Sequence, residues 1–139
     1  MIALDTKILA RYYVLDEADT ESARQHAQVI KALLGQGRFF VPKTVLLEFE
    51  WVLRGFYGQT RADILRVFDH LMALPMMRIE DESVVSAAVS AYRAGLDFAD
   101  ALHHAYAHTC EGSLTFDNRG FVRPATRMKL KPTVGLPVR

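Results

Sequence analysis

A run of apolar residues that stops abruptly at a carboxylate opens the chain. Met1-Ile2-Ala3-Leu4 is followed by Asp5-Thr6, and then by Ile8, Leu9, Tyr12 and Tyr13 at helical spacing. That order predicts a short buried strand, a tight turn and a helix. In an open α/β sheet, ligands bind beyond the carboxyl ends of the strands, which makes Asp5 a candidate site residue. Asp is also a preferred N-cap, so the same residue serves as a helix cap in the plainer interpretation. The choice turns on whether other carboxylates recur at comparable places downstream.

A chain of 139 residues suits one domain, 1–139, with a core of its own. No apolar run approaches a membrane span, and the N-terminus lacks the basic-then-apolar layout of a secretory signal. A cytoplasmic protein without a membrane partner is therefore expected. One cysteine, Cys110, allows neither an internal disulfide nor a cysteine-based zinc site. It is expected as a small core residue near a helix end. The net charge of +1 conceals an asymmetry: residues 119–139 hold six Lys/Arg and no acid, which leaves 11 basic against 16 acidic residues in 1–118. A basic C-terminal segment beside an acidic body points to a polyanion for the first and a cation for the second, unless the segment is simply a solvated tail.

Along the chain, Asp19-Thr20-Glu21 marks a helix start, with Ala23, Ala27, Ile30, Leu33 and Leu34 as its buried stripe. Arg38–Val41 predicts a second strand, and Pro42 opens the next helix. On that helix, about 43–54, Glu50 has Arg54 four residues on, the pattern of a solvated pair. Glu48 instead has Val45, Trp51 and Val52 as its wheel neighbours. A carboxylate ringed by apolar groups needs something to satisfy it, so Glu48 is the candidate functional acid. Thr60–Leu74 predicts a further helix, Met76–Ile79 a short strand, and Asp81-Glu82-Ser83 the start of a helix that stops at Gly95. Asp97 sits at a plausible N-cap, and Asp100 takes the place of a capping-box partner, where Glu or Gln is preferred. Ser113–Asp117 is a last short apolar run ending in an acid, with Thr115 two residues before Asp117.

Strands alternating with helices, without hairpin signals, predict an α/β fold with a central, mostly parallel sheet of four to five strands and helices on both faces. Asp5, Glu48, Asp100 and Asp117 would then converge. Two carboxylates about 4 Å apart repel by roughly 4 kcal/mol at an effective dielectric near 20, so a cluster of them calls for protons or cations. Hard oxygen ligands without His or Cys select Mg²⁺ or Mn²⁺. Such ions are equipment for phosphoryl transfer, and with no glycine-rich phosphate cradle a nucleic-acid phosphodiester fits better than ATP or GTP.

Met1–Thr6, Glu48 in an apolar helix after a Val-Pro step, Asp97-Phe98-Ala99-Asp100-Ala101-Leu102, and Thr115-Phe116-Asp117 together resemble the PIN domain, and more narrowly the VapC ribonuclease toxins of type II toxin–antitoxin pairs. The resemblance runs over nearly the whole chain. It implies a PIN-like fold and Mg²⁺-dependent endoribonuclease action, with Mn²⁺ as a substitute. Asp5, Glu48 and Asp100 would be the core acidic ligands and Asp117 a fourth. Thr6 and Thr115 would orient carboxylates, and Asp97 would be a cap with a supporting role. RNA is the implied substrate, with Arg119 and Arg123 as candidate contacts. The implied assembly is a homodimer or a hetero-oligomer silenced by a cognate antitoxin. Cleavage by metal-activated water would leave 5′-phosphate and 3′-hydroxyl ends. One departure is Lys7, where the family usually carries Asn. An ammonium there fills part of the charge deficit a metal would fill and is expected to weaken metal binding and cleavage, unless the long stem carries it into solvent.

Three rival interpretations compete. His104 and His108 at i, i+4 suggest zinc, but Ala105 replaces the glutamate of the zincin pattern, and partly exposed helix histidines fit better. A haloacid-dehalogenase-like phosphatase would need an Asp where Lys7 stands. A catalytically silent PIN-fold module for RNA or partner binding draws its support from Lys7.

Overall fold

The computed structural model describes residues 1–35 and 37–137. They form an α/β fold of seven α-helices and five short strands. Two compact units divide the chain, Met1–Glu80 and Asp81–Arg139.

In the first unit, β1 (Ile2–Ala3), β2 (Phe39–Val41) and β3 (Met77–Ile79) make a parallel sheet in the order β1-β2-β3. Helices α1 (Thr6–Tyr13), α2 (Thr20–Leu34), α3 (Lys43–Trp51) and α4 (Arg61–Ala73) fill the crossovers, and a π-helical turn at Val52–Phe56 extends α3. The starts follow local chemistry. Asp19 accepts from the amides of Glu21 and Ser22 to cap α2. Thr60 and Asp63 form a reciprocal capping box on α4. Pro42 caps α3 without a side-chain bond, and the amide of Lys43 is taken by Glu80 Oε1 at 3.0 Å. Leu9, Val41, Leu46, Phe49, Leu53, Ile64, Phe68 and Leu71 are fully buried.

Three expectations about burial change here. β1, expected as a buried strand, has both Ile2 and Ala3 exposed, and Leu4 just after it is the buried residue of the opening run. On α2 the buried residues are Ser22, Val29 and Leu33, whereas Ala27 and Leu34 are exposed. The helix is turned by about one residue from the predicted stripe. Polar contacts hold it so: Arg11 Nε donates to Gln25 at 2.8 Å, and the His26 ring meets the Arg11 carbonyl. On α3, Glu50 is not a solvated group but only 3% exposed, because it lies on the stripe of Leu46 and Leu53. Arg54 Nε reaches it at 2.9 Å, the partner a buried carboxylate requires. Thr44, Glu48 and Trp51 are the exposed members of that helix.

In the second unit, α5 (Glu82–Arg93) packs on α6 (Phe98–Ala105), with Tyr92 and Phe98 edge to face at 5.3 Å. β4 (Gly112–Leu114) pairs in parallel with β5 (Thr133–Gly135), and between them lie a π-helical turn at Asn118–Val122 and α7 (Arg123–Arg127). The five parallel strands thus fall into a three-stranded and a two-stranded sheet. The basic C-terminal segment is therefore no free tail over its described residues: Phe121, Ala125 and Val134 are buried. His104 is buried as well and donates from Nε2 to the Pro132 carbonyl at 2.8 Å, which fixes β5 against α6. Only His103 and His104 lie on α6; His108 follows its end, so the i, i+4 helix pair expected of His104 and His108 does not form. Cys110 is exposed rather than in the core.

Candidate functional site

The acids of the first unit sit where strand and helix ends deliver them. Two residues after β1, Asp5 takes extended backbone and caps α1, its Oδ1 accepting from the Thr6 amide at 2.8 Å. The carboxylate is exposed, and Thr6 behind it is 5% exposed. The Thr6 hydroxyl donates to Oε1 of Glu48, which joins the first turn of α1 to the middle of α3. Glu48 was singled out as an acid among apolar neighbours, and that reason does not hold, since Glu48 and Trp51 face solvent. The tie to Thr6 is what links it to Asp5. Lys7 is exposed and makes no ion pair with either acid among the described residues.

The second unit gathers three acids. Asp97 caps α6, with its Oδ2 accepting from the Asp100 amide at 3.2 Å. Asp117 caps the π-helical turn, its Oδ1 accepting from the Gly120 amide at 2.8 Å. Thr115 does not face the Asp117 carboxylate; its hydroxyl accepts from the Asp117 amide at 3.0 Å and so holds the backbone. Partial burial pushes the Asp100 carboxyl above its ordinary value, and the charges of Asp97 and Asp117 push it further, with His103 opposing. The three acids therefore share one electrostatic environment with a surplus of negative charge.

Gly120 escapes the motif pattern, although an Asp followed three residues later by Gly is a recognisable cap. A Cβ at Gly120 would lie 2.5 Å from one Asp117 carboxylate oxygen and 2.9 Å from the other. Glycine is what lets that amide approach the acid. Arg119 on this turn and Arg123 at the start of α7 are exposed and form no ion pair among the described residues.

The donors are all oxygens, which suits a hard divalent cation such as Mg²⁺ or Mn²⁺, and the raised Asp100 marks charge that a cation would relieve. Among the described residues, no three His, Cys, Asp or Glu side chains already close around a metal position. The zinc alternative gains nothing either, with His104 engaged by Pro132. A cavity of about 450 Å³ in the first unit is lined by Tyr12, Tyr13, Ile30, Arg66, Val67 and His70. None of the candidate acids lines it. No helix is long and apolar enough to cross a membrane, among the described residues.

The PIN domain family matches residues 2–126, from β1 through nearly all of α7. Neither a curated protein nor a solved structure matches the chain. With strand-end and helix-start carboxylates in an α/β frame and a family match over most of its length, the chain belongs to the PIN domain family.

Proposed function

We propose that this chain is a Mg²⁺-dependent endoribonuclease of the VapC toxin kind, in which Asp5, Glu48, Asp100 and Asp117 are the metal-binding acids. PIN domains are in general nucleases that use a divalent metal. Residues 1–139 act as a single PIN-like domain in this reading, which the family match across both units supports. The observation that carries it is the family match over residues 2–126, and the charges of Asp97 and Asp117 bearing on a partly buried Asp100 add support for a cation there.

A divalent ion bound there would supply an activated water and neutralise charge on the scissile phosphodiester. The chain's own residues do the positioning. Thr6 donates to Glu48 and leaves its other oxygen free to accept. Asp97 orders the first turn of α6, on which Asp100 stands. Gly120 and Thr115 fix the side chain and the backbone of Asp117 from either side. Arg119 and Arg123 attract the phosphate backbone, a salt-dependent contribution. Attack on the phosphorus by an activated water, in line with the 3′-oxygen as leaving group, would leave 5′-phosphate and 3′-hydroxyl ends. Silencing by a cognate antitoxin, homodimerisation and a cytoplasmic setting belong to the same reading through the family resemblance.

The test is incubation of the purified chain with unstructured RNA and Mg²⁺, with end analysis of the fragments. Metal-dependent fragments with 5′-phosphates are expected. RNA left intact at saturating Mg²⁺ and Mn²⁺ would sink the enzyme reading in favour of a silent module. That second reading rests on Lys7, where the family pattern has Asn. Lys7→Asn is expected to raise cleavage about 10-fold if the ammonium competes with the metal, an effect of the size seen for residues next to metal ligands. Equal rates would place the Lys7 charge in solvent.

A further inference from the structure

We infer that the cleft between α7 and β5 binds a small organic phosphate monoester with a flat apolar body, the chemistry shared by a nucleoside 5′-monophosphate and the 5′-phosphorylated end of an RNA. The cleft lies wholly within the unit Asp81–Arg139, and none of the candidate acids lines it. The inference therefore stands apart from the nuclease reading.

The cleft follows from how α7 ends. The Lys129 amide donates to the Thr126 carbonyl and the Leu130 amide to the Ala125 carbonyl, each at 3.0 Å, the paired bonds of a Schellman cap. That cap turns the chain off the helix, and it returns as β5 with a cavity of about 270 Å³ between the two. Ala125, Leu130 and Val134 give the cavity an apolar wall. Lys129, Lys131 and Thr133 line it as well, and neither lysine makes an ion pair among the described residues. The strand side is held in place, because Pro132 sits between Lys131 and Thr133 and its carbonyl accepts from buried His104.

Lys129 is the second observation. It takes the left-handed position of the cap, with φ at 58°, where glycine is the usual residue and a side chain costs backbone energy. A basic residue gains from the dipole at a helix C-terminus, but α7 spans only five residues and has little to offer. Glycine would serve the fold better; what lysine adds is an ammonium lining the cleft. Two ammoniums match a dianion. A phosphate monoester carries roughly two negative charges at neutral pH, whereas a carboxylate or the diester linkage of RNA carries one. Lysine is a point-charge binder of phosphate, and the Thr133 hydroxyl can donate to it as well. The apolar wall and the volume ask for a body beyond the phosphate itself. Lys129, Lys131 and Thr133 all lie past residue 126, where the family match ends.

The test is calorimetric titration of the full chain with adenosine 5′-monophosphate, in EDTA so that no metal ion offers the phosphate a second site. One ligand per chain is expected, with amide NMR shifts centred on residues 125–134. Adenosine, inorganic phosphate and the methyl diester of the same nucleotide should each bind at least about 10-fold more weakly. Lys131→Gln should weaken binding about 10-fold, the range for a charged hydrogen bond, and Lys131→Arg should restore most of it. In Lys129→Gly binding should fall by a similar factor while Tm holds or rises, since glycine relieves the left-handed backbone. Adenosine or the methyl diester binding as tightly as the monophosphate, unchanged affinity in Lys131→Gln and Lys129→Gly, or a Lys129→Gly Tm below the parent's overturns the inference. A dinucleotide with a 5′-phosphate separates the two sources. Tighter binding than the mononucleotide assigns the cleft to an RNA end, weaker binding assigns it to a free nucleotide, and binding of neither removes the site.

Discussion

In the unit Met1–Glu80 the carboxylates are answered by donors of the protein itself: Asp5 by the Thr6 amide, Glu48 by the Thr6 hydroxyl, Glu50 by Arg54. In the unit Asp81–Arg139 the cap bonds of Asp97 and Asp117 are also made, yet Asp100 is left among like charges with its carboxyl held above the ordinary range. One set of acids is built to stay where it is; the other is arranged so that a cation lowers its energy. Folding tolerates the second arrangement because Asp100 is only partly buried, where solvent screens the repulsion.

The largest effect that contrast predicts is at Asp100 itself. Asp100→Asn should lower Mg²⁺-dependent cleavage on the order of 100- to 1000-fold, as loss of a charge-stabilising group does. The same variant should be the more stable protein at neutral pH. A carboxyl whose pKa is raised in the folded chain binds its proton more tightly there than when unfolded, so its ionised form weighs against the fold. That handicap fades as pH falls through the raised folded pKa toward the ordinary Asp value near ~4, and it is gone below that value, where both states are protonated. The Tm advantage of Asp100→Asn over the parent should therefore be largest at pH 7 and be lost by the time the pH has fallen below about 4. An Asn variant less stable than its parent at pH 7 would show that the three acids do not repel one another.

A smaller effect is expected at Gly120. The new methyl of Gly120→Ala meets the mobile end of Asp117 rather than backbone, so the acid should swing away while the fold persists. Cleavage should fall about 10- to 100-fold, the range for residues that orient metal ligands, with Tm nearly unchanged. Unchanged cleavage would remove Asp117 from the machinery. Thr6→Val comes next: it keeps the shape of a buried residue and deletes the donor to Glu48. A loss of about 1 kcal/mol in urea unfolding is expected, together with about a 10-fold loss of cleavage. Full stability in Thr6→Val would mean that the hydroxyl bond to Glu48 is worth nothing to the fold.

Most of the frame could be read from sequence because local signals carried it. An Asp cap before an apolar period marked α2 and α6, an amphipathic period marked α4, and Pro42 marked the end of β2. What escaped depended on contacts between segments distant in sequence. The face of α2 is set by Arg11 meeting Gln25 and His26, which no wheel of α2 alone contains. β5 has no alternating pattern over three residues and forms because β4 and the His104 bond to Pro132 hold it. The acids of the candidate site stood out by type and by place at element ends. Their partners did not: the wheel argument for Glu48 relied on neighbours along its own helix, whereas its hydrogen-bond donor is Thr6, 42 residues earlier. Likewise Glu50 was read as a surface group because Arg54 follows it, and the same arginine is instead what permits its burial.

Mn²⁺ binding, followed by calorimetry on the parent and on Asp5→Asn and Asp100→Asn, tests the central claim most directly. If Asp5 and Asp100 are both metal-binding acids, each single variant should weaken Mn²⁺ binding by about 10-fold or more. If either single variant binds Mn²⁺ as tightly as the parent does, that carboxylate holds no metal and its assignment is wrong.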